Sequence, residues 1–180
     1  DLKKKIEKKK FLRGENQHIG NKPVTILKIN KAKNKFHARF DAKKRTYEYI
    51  ITNRRAPLTI NVNKSWIVFK MLDIDKMFEE SKFFLGKHDF ESFRSVDCQS
   101  KSSIKTIDDI NIFKKEENVK IEISAKSFLH SQVRIMVGTL VEISKGKIKR
   151  SIKKIIEDKD RNQAGVTAPA CGLYLKKIDY

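Results

Sequence analysis

The sequence predicts an α+β domain with a largely antiparallel sheet and helices packed on one side of it. Two runs, 107–113 and 119–125, flank the polar segment Lys114-Lys115-Glu116-Glu117-Asn118. In the second run Val119, Ile121, Ile123 and Ala125 alternate with Lys120, Glu122 and Ser124, the period-two pattern of a hairpin with one wet face. Strands and helices are also mixed along the chain without regular β-α-β alternation, which argues against a parallel sheet.

Each element has a local signal. Residues 1–23 form a Lys-rich lead-in, of which Lys3 to Lys10 is a solvated helix or an unstructured arm. The pattern changes at Val24, where 24–29 reads as a short strand buried on both faces and opens a domain spanning 24–180. Arg45 to Asn53 is β-branched and aromatic, and Arg54-Arg55-Ala56-Pro57 stops it. Ser65 to Leu72 reads as a strand or a buried turn. Asp73 N-caps a helix running to Leu85, with Ile74, Met77, Phe78, Phe84 and Leu85 on one side and Gly86 as the stop. His88 to Arg94 follows as a loop mixing aromatic and basic residues. A second helix spans 131–144, with Gly138 allowing another backbone close. A third covers about 149–157 with Ile152, Ile155 and Ile156 inward, and Leu173, Leu175 and Ile178 mark a closing strand.

Composition bounds the function. The 180 residues carry a net charge of +19 and are 39% hydrophobic, enough for a core of their own. No run approaches the roughly 18–20 apolar residues of a membrane span, and the first residues lack the apolar stretch of a signal peptide, so a soluble, untargeted protein is expected. Cys98 and Cys171 have no second pair and no C-x-x-C spacing, which fits a reducing cytoplasm. The strong positive charge is the electrostatic footprint of a protein that meets phosphate backbones. Abundant Lys, Ile and Asn would also follow from an AT-rich coding sequence.

The usual catalytic signatures are absent. Without G-x-x-x-x-G-K-[ST], G-x-G-x-x-G, H-E-x-x-H or G-x-S-x-G, nucleotide hydrolysis and zinc proteolysis lose support. His18, His37, His88 and His130 lack metal-ligand spacing, and Cys98 reads as a buried, inert thiol. Phe36-His37-Ala38-Arg39-Phe40 interleaves rings that stack on bases with cations that pair with phosphate, although the same residues would suit half a strand. His130 and Arg134 stand four apart on one helical face beside an apolar surface, where an Arg requires an acidic partner.

In this order, FHARFDAKKRTYEY, GKHDFESFR, a following CQS, KSFLHSQVRIMVGTLVEI and the closing APACGLYL resemble the second half of TruA-type tRNA pseudouridine synthases. The resemblance covers about Val24 to Tyr180 and implies a pseudouridine synthase-like domain. It implies isomerisation of uridine to pseudouridine in the anticodon stem-loop of tRNA, at positions 38–40, without cofactor or metal. It further implies a homodimer with tRNA across both subunits. In such enzymes an Asp attacks a flipped-out nucleotide while the base detaches, turns over and rejoins through carbon.

Carried onto this sequence, the resemblance gives Tyr47 the task of stacking on the target uracil and handling a proton near it. Arg134 pairs with the catalytic Asp, and Leu173 lines the uracil pocket. Phe36, His37, Ala38, Arg39 and Phe40 contact tRNA, as do Asp97, Cys98, Gln99, Ser100 and Lys101, with Arg55 a weaker member of the same surface. The family's nucleophile sits in an Arg-Thr-Asp-Ala-Gly motif that this sequence lacks, and Asp41, Asp89, Asp97, Asp108 and Asp109 have a different context. The expectation is a carboxy-terminal half that needs an Asp from elsewhere and catalyses nothing by itself. The alternative is a non-catalytic RNA-binding module.

Overall fold

Residues 7–60 and 62–180 are described in a computed structural model, in two compact units that part between Asp41 and Ala42. In the first, helix α1 spans Lys8–Ile19 and buries none of its side chains. It takes in Lys8 to Lys10 of the 3–10 segment, of which residues 3–6 fall outside the described residues. Gly20, at a φ of +61°, ends α1 with its N–H on the Asn16 carbonyl.

The strand expected over 24–29 is not formed. Asn16 bonds Ile26 in both directions, Nδ2 to the carbonyl and N–H to Oδ1, each at 2.8 Å. A side-chain amide thus takes the place of a neighbouring strand, and Leu27, expected to be buried, is 86% exposed.

The second unit is built on a six-stranded sheet: β1 (Lys44–Asn53), β2 (Trp66–Val68), β3 (Gly86–Asp89), β4 (Ile104–Lys115), β5 (Asn118–Ala125) and β6 (Leu173–Asp179). The order is β2-β1-β5-β4-β3, and β6 also pairs with β1. Every pairing is antiparallel except the short parallel contact of β1 with β2 at Ile51–Asn53. The β4–β5 hairpin closes more tightly than the sequence suggests. Lys114 pairs with Val119 and Lys115 with Asn118, leaving Glu116 and Glu117 as the turn, Glu116 at a φ of +54°.

Gly86–Asp89 is a second departure from expectation, an edge strand on β4 rather than a loop. A 3-10 turn at Glu91–Phe93 follows, because Phe90 and Phe93 are fully buried and draw the chain inward.

Alternation sorts the sheet into two faces. Tyr49, Ile51, Ile110, Val119, Ile121 and Ile123 are buried under the helices. On the other face Glu48 lies opposite Glu122, with Lys176 bridging the two and Lys120 pairing with Glu48. The helices are α2 (Ile74–Ser81), α3 (Gln132–Ser144) and α4 (Ile152–Asp158). Asp73 caps α2 as its sequence signals, accepting from the Lys76 N–H at 3.0 Å, and the helix tightens into a 3-10 turn at Lys82–Phe84. Ser151 caps α4, and Ile152, Ile155 and Ile156 are buried as expected.

Candidate active site

Three elements position the candidate residues. The first is the middle of β1, where Tyr47 and Tyr49 stand two apart and face the same side of the sheet. Tyr47 is half-buried, its ring edge-on to Phe128 at 5.4 Å between centroids. A register shift against β6 between Thr46 and Tyr47 sets Tyr47 opposite Leu175. Among the described residues its hydroxyl makes no hydrogen bond. Tyr49 is the converse: fully buried, with its hydroxyl donating to the Pro169 carbonyl at 2.6 Å. Burial pushes the Tyr49 phenol above its ordinary range; nearby Cys171 adds to the rise and Arg134 opposes it.

The second element is the start of α3. Gln132 to Val141 are all buried except Arg134, so the helix presents one cation from an apolar surface. Arg134 Nε donates to the Ala168 carbonyl at 2.6 Å, and the Arg134 carbonyl accepts the Ala168 N–H at 3.1 Å. No carboxylate among the described residues lies within ion-pair distance of its guanidinium. A cation in the first turn opposes the helix dipole, so helix stability does not account for Arg134. The helical pairing expected with His130 is not formed: α3 begins at Gln132, after Ser131 at a φ of +60°, and His130 lies outside it.

The third element is a strap, residues 164–172, that runs back along α3 and delivers Leu173 to the sheet. Gly138 permits it, since a Cβ there would meet the Val166 carbonyl oxygen at 1.8 Å. The strap is tied along its length. Gly165 N–H donates to Thr139 Oγ1 at 2.9 Å, Val166 N–H to Glu142 Oε2 at 3.1 Å, and Arg161 to the Gly165 carbonyl at 2.9 Å. At its end Gly172 lies against the Tyr49 ring, where a Cβ would come within 2.7 Å. Leu173 then pairs with Tyr49 at the head of β6. Tyr47, Phe128 and Leu173 all pack, partly buried, against the same core.

The sequence profile of the tRNA pseudouridine synthase family matches residues 81–180, the part that contains α3, the strap and β6. Relatives extend the match over the rest. The chain is 50% identical to the tRNA pseudouridine synthase A of Anaplasma phagocytophilum, over 100% of this chain and 74% of that protein. It is 49% identical to the protein of the same name from Ehrlichia chaffeensis, over 92% and 68%, and 48% identical to that of Wolbachia pipientis wMel, over 100% and 74%. The chain belongs to the tRNA pseudouridine synthase family. Its activity class is the family's, isomerisation of uridine to pseudouridine in tRNA.

A tRNA pseudouridine synthase also needs a surface for a polyanion, and the sequence-predicted contacts are distributed over both units. In the first unit Phe36 to Phe40 form an exposed turn, not half a strand. His37 Nδ1 accepts from the N–H groups of Arg39 and Phe40 at 3.2 and 3.3 Å, its ring stacks on Phe40 at 4.3 Å, and the Arg39 guanidinium lies 5.9 Å from the Phe40 centroid. In the second unit Arg55 is exposed just past β1, as are Asp97, Gln99 and Lys101 in their loop.

Cys98 differs from its neighbours. Its side chain is buried, as expected, and its sulfur accepts the His130 N–H at 3.4 Å, tying the 97–101 loop to the turn before α3. Burial pushes the thiol up, but hydrogen bonds from the Ser100 and His130 backbone, with Arg94, outweigh it and leave the group below its ordinary range. Arg94 shapes the loop by donating to the Cys98 and Ser100 carbonyls at 3.0 and 2.9 Å.

A cleft of about 480 Å³ lined by Glu91, Arg94, Val96, Lys159 and Arg161 lies apart from this constellation, as none of Tyr47, Arg134 or Leu173 lines it. Among the described residues no group of His, Cys, Asp and Glu is placed to hold a metal ion, and no helix is long and apolar enough to cross a membrane. Sequence reasoning quoted Tyr49, Phe128 and Ala168 to Gly172 of the strap within its motifs but gave none of them a role. The spacing of Tyr49 from Tyr47 was a usable signal for their shared face.

Proposed function

We propose that this chain supplies one wall of the uracil pocket and the Asp-orienting Arg of an enzyme that isomerises uridines at positions 38–40 of the tRNA anticodon stem-loop. In this reading the nucleophilic Asp comes from outside residues 1–180. The observation that carries it is Arg134: one cation on a buried helical face, fixed through Nε, with its guanidinium tip turned to no carboxylate among the described residues. A carboxylate entering there would be held ionised and aimed.

Tyr47 suits the flipped base for a related reason. An extruded uracil has lost its stacking neighbours, and a stack on an aromatic ring contributes roughly 1–3 kcal/mol. The unengaged Tyr47 hydroxyl is available for the proton changes of the reaction. The C1′–N1 bond breaks, the ring turns, the C1′–C5 bond forms, C5 loses its hydrogen to solvent and N1 gains a proton. Nothing is oxidised or reduced. Leu173 closes the pocket's apolar side.

Charge of +19 favours a phosphate backbone, with Phe36 to Phe40, Arg55 and the 97–101 loop as contacts, Cys98 acting through its backbone and by holding the loop. The homodimer and the cytoplasmic location belong to the same proposal; the free cysteines suit a reducing compartment.

The test is tritium release from tRNA transcribed with 5-tritiated uridine, using Arg134→Ala and Tyr47→Phe in an enzyme that contains both this chain and the Asp. Arg134→Ala is expected to lower kcat about 100- to 1,000-fold, and Tyr47→Phe to lower it with tRNA affinity nearly unchanged. Loss of affinity alone in both variants would favour the RNA-binding module.

A further inference from the structure

We propose that Tyr49 is a positioning residue for the isomerisation, setting the aim of Arg134 through the strap. The inference rests on the reading of Arg134 given above. Two consecutive carbonyls of the strap are held from opposite layers. Ala168 accepts from Arg134 Nε on the helix side and Pro169 accepts from the Tyr49 hydroxyl on the sheet side, both at 2.6 Å. One residue, Pro169, therefore couples the two side chains, since the carbonyls on either side of its Cα take the two bonds, and its ring, with φ near −54°, stiffens the joint.

Packing alone does not call for a hydroxyl here. A Phe would fill the same fully buried space, whereas a phenol at this depth must find a partner, and its partner is the segment that anchors Arg134. Contact of the ring with Gly172 extends the coupling to the point where Leu173 enters the pocket wall. Without the hydroxyl the strap keeps its ties to Thr139, Glu142 and Arg161 but loses the sheet-side fix on the peptide beside Ala168. Nε then holds a less determined carbonyl, and the guanidinium tip loses its direction. Misplacement of a catalytic group by about 1 Å costs on the order of 100-fold in rate.

The experiment measures kcat and KM for tRNA by tritium release in the full-length enzyme, well below the melting transition, for Tyr49→Phe, Arg134→Lys, Arg134→Ala and the double variant Tyr49→Phe/Arg134→Lys. The expected result is a 10- to 100-fold lower kcat in Tyr49→Phe, with KM within about 3-fold. The double variant is expected to be no slower than Arg134→Lys, because the two changes disable one device. Tyr174→Phe removes a hydroxyl bonded to the Lys64 carbonyl on the opposite face and is expected to leave both constants unchanged. Unchanged kcat in Tyr49→Phe, or losses that multiply in the double variant, would overturn the coupling while leaving Arg134 in its role. Full turnover in Arg134→Ala would overturn that role and the coupling together.

Discussion

The two faces of the sheet in the second unit carry the same strands and have opposite designs. On the inner face Tyr49, Ile121 and Ile123 are sealed under α3 and the strap, and Tyr47, half-buried beside them, is the only one of the four whose surface reaches the candidate site. On the outer face Glu48, Lys120, Glu122 and Lys176 share charge in solvent. A residue's place in the period-two alternation therefore decides whether its loss is felt by the packed side of the sheet or only by the solvent side.

Ile123→Ala is expected to give the largest effect, a destabilisation of about 3 kcal/mol or more in chemical denaturation, as a buried Ile leaves both transfer energy and a cavity behind. Gly138→Ala comes next. The new methyl group collides with the Val166 carbonyl, so the strap must lift, and a cost of about 1–3 kcal/mol should accompany a loss of turnover out of proportion to it. Normal turnover in Gly138→Ala would break the link between strap and site.

A smaller effect belongs to pH. Burial raises the Tyr49 pKa above its unfolded value, so its neutral form contributes stability that is complete below about pH 10 and is lost as pH climbs towards the folded value. Denaturation midpoints should accordingly fall more steeply above pH 10 in the wild type than in Tyr49→Phe. Least affected is Lys176→Ala on the outer face, whose midpoint should lie within error of the wild type because exposed ion pairs contribute little. A clear loss there would erase the contrast between the faces.

Much of this was legible in the sequence because it is local. The alternation of Val119 to Ala125, the Asp73 cap and the apolar face of 131–144 needed only their neighbours, and all three are in place. Gly138 announced a close approach without saying what would approach. What escaped depends on partners distant along the chain. Val24 to Ile29 has strand composition but meets the Asn16 amide instead of a strand. Tyr47 and Tyr49 look alike in RTYEYII and are told apart only by the Pro169 carbonyl. Ala168 to Gly172 of the strap stood in a legible motif, but the bonds that tie the strap to Thr139, Arg134 and Tyr49 have no periodicity to betray them.

The most direct measurement is tritium release from 5-tritiated uridine tRNA by residues 1–180 alone, alongside tRNA binding as a function of salt. Salt-sensitive binding with no release is the expected result, since the proposal has Tyr47 and Arg134 serve a nucleophile from outside these residues. Release by these residues alone would contradict it and place the nucleophile among the carboxylates of this chain.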